Sequence, residues 1–203
     1  MVPSKRRSLA HSVVRPATAA DLPDVVDIHV GCWVEVYTPF MPESALASRG
    51  RDFRQAQWEA WFQSPAGALF VLELDGRVEG FTHIVENEDT EVPAAVDFKA
   101  TYIRPAGRGG IACPLLLHHA TAWAAGRGLE SAVLWAFRDN GTRVLHTRVG
   151  WEPAINRDRP IAGYPIPEIG YLHGSTSALR QRYQAWVETI CDRFKAPAPP
   201  LHG

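Results

Sequence analysis

The segment that most restricts the fold lies between residues 94 and 137, where a glycine-rich turn and a helix separate two strand-like stretches. AAVDFKATYIRP predicts a strand that ends at Pro105. GRGGIACPLLLHH follows as a turn that opens onto a helix, and residues 131–137, SAVLWAF, are continuously apolar, which suits a strand in the middle of a sheet. This order of elements predicts a mixed α/β fold.

The rest of the chain adds helices and strands around this unit. Two β-rich runs flank Asp75-Gly76, a dipeptide that accepts the positive φ angles of a tight hairpin turn. Apolar periodicity and turn residues predict five further elements: a short strand ending at Pro16, helices after Thr18 or Asp21 and through Phe53–Phe62, a short helix ending at Gly150, and a strand in GYPIPEIGYLH. An amphipathic helix with a Ser/Thr start completes the pattern near the C-terminus.

The length of 203 residues suits one domain with a substantial core. We expect the following division of the chain: a flexible tail over 1–12, a single domain over 13–173, an appended helix over 174–195, and a second flexible tail over 196–203.

Composition excludes several classes of partner. The net charge of −1 gives no global attraction to nucleic acid or to an anionic membrane, and no apolar run approaches the ~18 residues of a membrane-spanning helix. Three cysteines, far apart and odd in number, form no metal-type pair. They favour a reduced, cytoplasmic setting and no bound metal.

The glycine-rich turn has the features of a phosphate-binding loop. A helix start presents unpaired N–H groups and a partial positive charge, glycines allow close approach to the backbone, and Arg108 adds a counter-charge. Ile111-Ala112 stands where a P-loop needs Gly-Lys-Ser/Thr, and the dinucleotide fingerprint is absent in its proper spacing. The same pattern also occurs as a plain connector.

Five pieces of the chain, in order, resemble the GNAT superfamily of N-acetyltransferases over roughly residues 13–173. They are IHVGCWVEVYTPFMPESAL, FVLELDGRVEGF, TYIRPAGRGGIACPLLL, LESAVLWAFRDN and LHTRVGWEP. The resemblance implies a mostly antiparallel sheet with helices around it and a V-shaped splay between two parallel strands, 96–104 and 131–137. It also implies acetyl-CoA as co-substrate.

The resemblance assigns the coenzyme to the loop and to the strand before it. The implied coenzyme-binding residues are Tyr102, Ile103, Arg108, Gly109, Gly110, Ile111, Ala112 and Asn140. A backbone N–H near Ile103 would polarise the thioester carbonyl. The loop aligns in two ways, because matching Gly110 and Ala112 puts Gly107 where Arg or Gln is usual.

The resemblance also identifies candidates for proton transfer. His146 stands where the family usually has a tyrosine that protonates the leaving thiolate, and an imidazole can donate a proton. Asp97 and Glu86 lie where the family often has a carboxylate that acts as base, although each also fits an ordinary strand-end charge. The alternative for His146 is a surface or capping histidine with no catalytic role.

The acceptor region is expected in the 33–53 segment and the hairpin. Its substrate candidates are Trp33, Tyr37 and Glu35, a mixture that suits a small amine with some apolar surface. His118 and His119 are adjacent on the helix and diverge by about 100°, which disfavours a shared metal ion. We expect His119 to be partly buried and His118 to lie at the rim.

Three functions follow from these observations. The first is an enzyme that transfers acetyl from acetyl-CoA to a primary amine on a small molecule, a protein lysine or an N-terminus. The second is a catalytically impaired acyl-CoA-binding or regulatory module. The third is an interaction protein that uses the helix at 175–194, whose apolar stripe could pack on the domain or form a homodimer.

Overall fold

The protein is described by a computed structural model that covers residues 11–199 and residue 201. The strands in this part of the chain are β1 (Ser12–Pro16), β2 (Ala68–Leu74), β3 (Arg77–Glu86), β4 (Val96–Ile103), β5 (Ala132–Phe137), β6 (Glu152–Ile161) and β7 (Tyr164–His173). The helices are α1 (Leu22–Tyr37), α2 (Glu43–Ala47), α3 (Arg51–Gln63), α4 (Ala112–Ala125), α5 (Arg143–Arg148) and α6 (Thr176–Phe194).

The described strands form one sheet in the order β1-β2-β3-β4-β5-β7-β6. Its neighbouring strands run antiparallel except β4 and β5, which are parallel. The expected mixed sheet, with one parallel pair at its centre and the β2–β3 hairpin beside it, is confirmed. Asp75 and Gly76 carry the positive φ angles, 52° and 77°, that the hairpin turn requires.

Helices cover both faces of the sheet. Consecutive residues of a strand point to opposite faces, so the neighbours of two adjacent residues show which helices lie on each face. Val71 of β2 packs in a cluster with α1 and α3 residues, whereas its neighbour Leu72 packs in a cluster with α4 and α6 residues. Helices α1 and α3 thus cover one face and α4 and α6 the other. We call these the α1 face and the α4 face.

The C-terminal helix packs against the domain. Ser175 caps it by accepting a hydrogen bond from the Ala178 N–H at 3.1 Å. Leu179, Tyr183 and Val187 of its apolar stripe are fully buried in the same clusters as α4 residues. The stripe is therefore used within the chain.

Two features differ from the expectations. Strand β6 was not predicted; it is an exposed edge strand joined to β7 by a tight turn at Ala162 and Gly163. His118 was expected at the rim, but it is 1% exposed and lies against α6, where Arg180 Nε is 3.4 Å from its Nε2. His119 is buried as well, at 6% exposure.

The predicted tails lie mostly outside the described residues, which begin at His11 and omit 200, 202 and 203. At the two ends of the described chain, Ser12 is buried in β1, and Ala196 and Leu201 pack beside α6. None of the helices in the described part is long and apolar enough to span a membrane.

Candidate functional site

The parallel strands β4 and β5 pair over only three residues and then separate. Their partners are Val96 with Ala132, Asp97 with Val133, and Phe98 with Leu134. On its other edge β4 carries an extra residue, because His83 pairs with Ala100 and Ile84 with Phe98, which leaves Lys99 without a partner in β3. Such a bulge bends its strand. It lies at the point where the two strands diverge.

The divergence opens a cleft of ≈ 320 Å³. Its walls come from three regions, namely the end of β4 with the glycine-rich loop, the end of β5 with α5, and two or three side chains from each of α1, α4 and α6. From these regions the cleft is lined by residues including Tyr102, Ile103, Arg108, Gly109, Gly110, Trp135, Asn140, His146, Cys32, Tyr37, Leu117, Tyr183 and Trp186. The predicted splay is present, and six of the eight residues assigned to the coenzyme line one opening, namely Tyr102, Ile103, Arg108, Gly109, Gly110 and Asn140.

The open edge of β4 presents backbone polar groups to the cleft. The N–H of Arg104 donates to the Glu79 carbonyl in β3 at 2.8 Å. Since antiparallel partners alternate between bonded and non-bonded pairs, the backbone groups of Ile103 and Thr101 point away from β3 and towards the cleft. In agreement, the Ile103 carbonyl accepts hydrogen bonds from Arg108 Nε at 2.8 Å and from Cys32 Sγ at 3.4 Å.

The loop after β4 brings bare backbone to the same cleft. Gly109 has a φ of +73°, which favours glycine, and a Cβ added at Gly109 or Gly110 would meet nothing within 4 Å. Helix α4 begins just beyond, at Ala112. The side chains of Ile111 and Ala112 are buried, so these two residues can offer only backbone groups, and Pro114 has no N–H to offer.

Arg108 bridges this loop to helix α1. Its Nη1 and Nη2 atoms each donate to one carboxylate oxygen of Glu35, both at 2.8 Å, and Nη2 lies 3.4 Å from Cys32 Sγ. The bidentate pair raises the pKa of Arg108, so the guanidinium stays charged.

Known proteins with similar sequences and structures agree on one family. No family model matches the chain. The uncharacterised N-acetyltransferase YuaI of Bacillus subtilis is 25% identical over 175 residues, which cover 82% of this chain and 95% of YuaI. The GCN5-related N-acetyltransferase structure of Rhodopseudomonas palustris matches 82% of this chain and 97% of its own, with a TM-score of 0.66 and 18% identity.

A third relative binds the coenzyme. The structure of the PaiA N-acetyltransferase of Thermoplasma acidophilum in complex with coenzyme A matches 80% of this chain and 98% of its own, with a TM-score of 0.64 and 14% identity. The two structural matches support the fold. The match to YuaI is a similarity in sequence over most of both chains. The chain shares the fold of the GCN5-related N-acetyltransferases, and its sequence is similar to that of the N-acetyltransferase YuaI.

His146, the candidate for protonating the leaving thiolate, lines the cleft wall. Its ring packs against Tyr171 with ring centres 5.4 Å apart. Burial lowers the pKa of His146 to about 4, because a charged imidazole would lose its hydration. At neutral pH the ring is therefore uncharged, and a protonated His146 is scarce.

The two predicted bases differ in their placement in this GNAT fold. Glu86 is exposed at the end of β3, opposite Val96 and away from the splay. Asp97 is 3% exposed and forms an ion pair with Lys99, the bulge residue, which lines the cleft. Burial raises the pKa of the Asp97 carboxyl, and its Oδ1 atom has no hydrogen-bond partner.

The predicted acceptor residues are only partly brought together. Tyr37 lines the cleft, with its hydroxyl 3.3 Å from that of Tyr102. Glu35 lies at the cleft through its pair with Arg108, whereas Trp33 is buried away from it and donates from Nε1 to the Leu46 carbonyl at 3.2 Å. Asn140 lines the cleft, and its Oδ1 accepts from the N–H and hydroxyl of Thr142.

Sequence reasoning did not identify several wall residues. Cys32, Trp135, Tyr183 and Trp186 all face the cleft. Tyr183 and Trp186 belong to the apolar stripe of α6. Such a stripe predicts that the residues are buried, but it does not identify the part of the fold that they pack against.

Proposed function

We propose that the protein transfers the acetyl group of acetyl-CoA directly to a primary amine, on a small molecule or on a protein lysine or N-terminus. The observation that carries this proposal is the parallel strand pair that opens after three residues onto a glycine-rich helix start. Acetyl-CoA supplies the thioester that the amine attacks. The chain's own residues bind it, polarise its carbonyl and handle the protons.

The cleft suits the coenzyme in shape and chemistry. Gly109 and Gly110 leave space for a diphosphate against the backbone at the start of α4, and Arg108 adds a positive charge at the same place. The free backbone edge of β4 fits the amide groups of a pantetheine arm, which would pair with it as another strand does. Asn140 on the opposite wall adds a polar contact.

Two backbone N–H groups are available to polarise the thioester carbonyl. Ile103 lies next to the loop, so its backbone is suited to the pantetheine amides. Thr101 lies two residues nearer the closed end of the splay, where the thioester arrives when the arm is extended along β4. We therefore favour the N–H of Thr101, with Ile103 as the alternative, for stabilising the negative oxygen.

His146 is proposed to assist the leaving thiolate as a hydrogen-bond donor. As an uncharged imidazole it still has an N–H to offer, and a thiol with a pKa near ~8.5 needs only partial proton transfer to leave at neutral pH. Solvent in the open cleft completes the protonation. Neutral His146 thus takes over part of the work of the usual tyrosine.

Asp97 is the better candidate for the base. Its raised pKa brings it closer to neutrality than an exposed carboxylate, and its partner Lys99 lines the cleft. Asp97 itself is not part of the cleft wall, so the proton would pass from the amine through water. Glu86 is too far along the sheet for this role. Tyr37 and Glu35 remain the proposed acceptor contacts, with Trp33 supporting them from behind.

Turnover separates the enzyme from a coenzyme-binding module. Free thiol release should be measured with acetyl-CoA over a broad panel of amines, beside a thermal-shift titration with CoA. The His146→Phe substitution should lower the rate and leave acetyl-CoA affinity unchanged. Binding without turnover on any amine would favour the regulatory module, and no binding at millimolar CoA would refute both.

Self-association is a separate proposal. Because the apolar stripe of α6 is buried in the chain, a homodimer through this helix would have to use its outer face. Light scattering at several protein concentrations tests it. A constant monomer mass would contradict the dimer without touching the catalytic proposal.

A further inference from the structure

The cleft extends beyond the point where the thioester is expected. Its lining includes Phe98 and Leu134, the last paired residues of β4 and β5, which lie at the closed end of the splay. Both belong to the core cluster on the α4 face, so the closed end of the cleft faces that side of the sheet. We call this end of the cleft the apical recess.

The walls of the apical recess are apolar. Leu117 of α4, Val149 after α5, and Tyr183 and Trp186 of α6 surround it. The Tyr183 hydroxyl accepts a hydrogen bond from Trp151 Nε1 at 2.9 Å, so its polar oxygen is already satisfied by the protein. An apolar space of this kind stabilises an aliphatic group and gives nothing to a charged one.

The acyl group is the part of the co-substrate that can reach this recess. The diphosphate is expected at Gly109 and Gly110, and the arm runs along β4 from Ile103 towards Lys99, which points the thioester at Phe98 and Leu134. This step rests on the proposed function. From it we propose that the protein accepts acyl-CoA thioesters longer than acetyl, with the acyl chain in the apical recess and Trp186 of the C-terminal helix limiting its length.

The reaction is the same for each donor. The amine nitrogen forms a bond to the acyl carbon, the carbon–sulfur bond breaks, and the sulfur leaves as CoA thiolate while the amine gives up a proton. No further co-reactant is needed. The recess changes only which acyl chain is carried.

Trp186 differs from the other recess residues in being only partly buried. It sits on the helix that closes the α4 face, so shortening its side chain enlarges the recess without leaving a sealed void in the core. Trp123 of α4 is its matched control. It also packs on the same core cluster while partly buried, but it is not part of the cleft wall.

The test compares the binding of CoA with that of acetyl-, propionyl-, butyryl- and hexanoyl-CoA by calorimetry, using the full chain. In the wild-type protein we expect affinity to rise about fourfold for each methylene added from acetyl to butyryl. Trp186→Ala should then raise the ratio of hexanoyl-CoA affinity to CoA affinity at least about tenfold over the wild-type ratio. Trp123→Ala should leave the whole series as in the wild type.

The outcomes separate the recess from the proposed function. If CoA binds and affinity falls with each methylene in both the wild type and Trp186→Ala, the recess proposal is wrong and acetyl transfer stands. If Trp123→Ala changes the series as much as Trp186→Ala does, Trp186 does not set the chain length. If CoA does not bind at all, the proposed function fails and the recess proposal fails with it.

Discussion

Arg108 and Glu35 join the glycine-rich loop to helix α1 through two parallel hydrogen bonds of 2.8 Å. The loop belongs to the expected coenzyme site and the helix to the expected acceptor site. A diphosphate that binds Arg108 would therefore compete with Glu35 for the same guanidinium, and its arrival would release a carboxylate beside the acceptor. If the proposed sites are correct, coenzyme binding and acceptor recognition would thus be linked through one ion pair.

Removing the charge of Glu35 should strengthen coenzyme binding. We expect Glu35→Gln to raise CoA affinity by about two- to fivefold, since Arg108 no longer has to leave a charged partner and exposed pairs contribute about 0.2–1 kcal/mol. Calorimetry measures the change. Asp27→Asn is the control. Asp27 lies on the same helix as Glu35, but its ion pair is with Arg51 of α3 and is away from the cleft. Weaker CoA binding by Glu35→Gln would contradict the competition.

The contribution of Arg108 should depend on the diphosphate. Arg108→Gln should weaken acetyl-CoA binding by about tenfold, as expected for loss of a charge-assisted hydrogen bond, and leave S-acetylpantetheine, which has no diphosphate, unaffected. Michaelis constants for the two donors measure this difference. Arg104→Gln, which removes a partly buried pair with Asp24 outside the cleft, is the matched control. Equal losses with both donors would place Arg108 elsewhere in the reaction.

The two loop glycines should respond differently to alanine. Neither has atoms within 4 Å of an added Cβ, but only Gly109 has a positive φ, +73°. Gly109→Ala should lower the free energy of unfolding by about 1–2 kcal/mol and weaken CoA binding, because the loop must change conformation. Gly110→Ala should change stability by less than about 0.5 kcal/mol. Urea denaturation of both variants decides the matter, and equal effects would argue against the backbone strain.

His118 should make the protein less stable in acid. Burial lowers the folded-state pKa of His118 to about 4, below the ordinary value of 6.5. Between these two pKa values the unfolded chain binds a proton at His118 and the folded chain does not. The free energy of unfolding therefore decreases as the pH falls from 6.5 towards 4, by up to about 3 kcal/mol. His118→Leu should flatten the dependence of unfolding free energy on pH in this window. Parallel curves for the two proteins would refute the assignment.

The rate should show no titration of His146 at neutral pH. Because its folded-state pKa is about 4, the imidazole stays uncharged from pH 6 to 9, and any inflection of kcat in that range must come from another group. A pH profile of kcat for the wild type and His146→Phe measures this. The variant should be slower with an inflection at the same pH. A shifted or missing inflection would identify His146 as the titrating residue.

Local sequence signals predicted most of the fold. The hairpin at Asp75-Gly76, the apolar strand β5 and the capped helix α6 each depend on neighbouring residues, so they could be inferred without the tertiary structure. Strand β6 could not, because its residues are nearly all exposed and include prolines, which an edge strand tolerates. Its pairing with β7 decides its conformation.

The site was predicted where it depends on backbone and less well where it depends on side chains from distant elements. The loop at Gly109 followed from the residue pattern, and the splayed strands followed from the resemblance to GNAT N-acetyltransferases. The burial of Trp33, the ion pair of Arg108 and the contribution of Trp186 come from helices that meet only in the folded chain. No periodicity in the sequence specifies these tertiary contacts.

The unpaired residue Lys99 has a consequence for evolution and engineering. Deleting it would let β4 continue its ladder without interruption and lie alongside β5 for more of its length, so the sheet would gain backbone hydrogen bonds. The same deletion would narrow the gap between these strands in which the two substrates are proposed to meet. Selection for a more stable sheet and selection for turnover therefore act in opposite directions at Lys99.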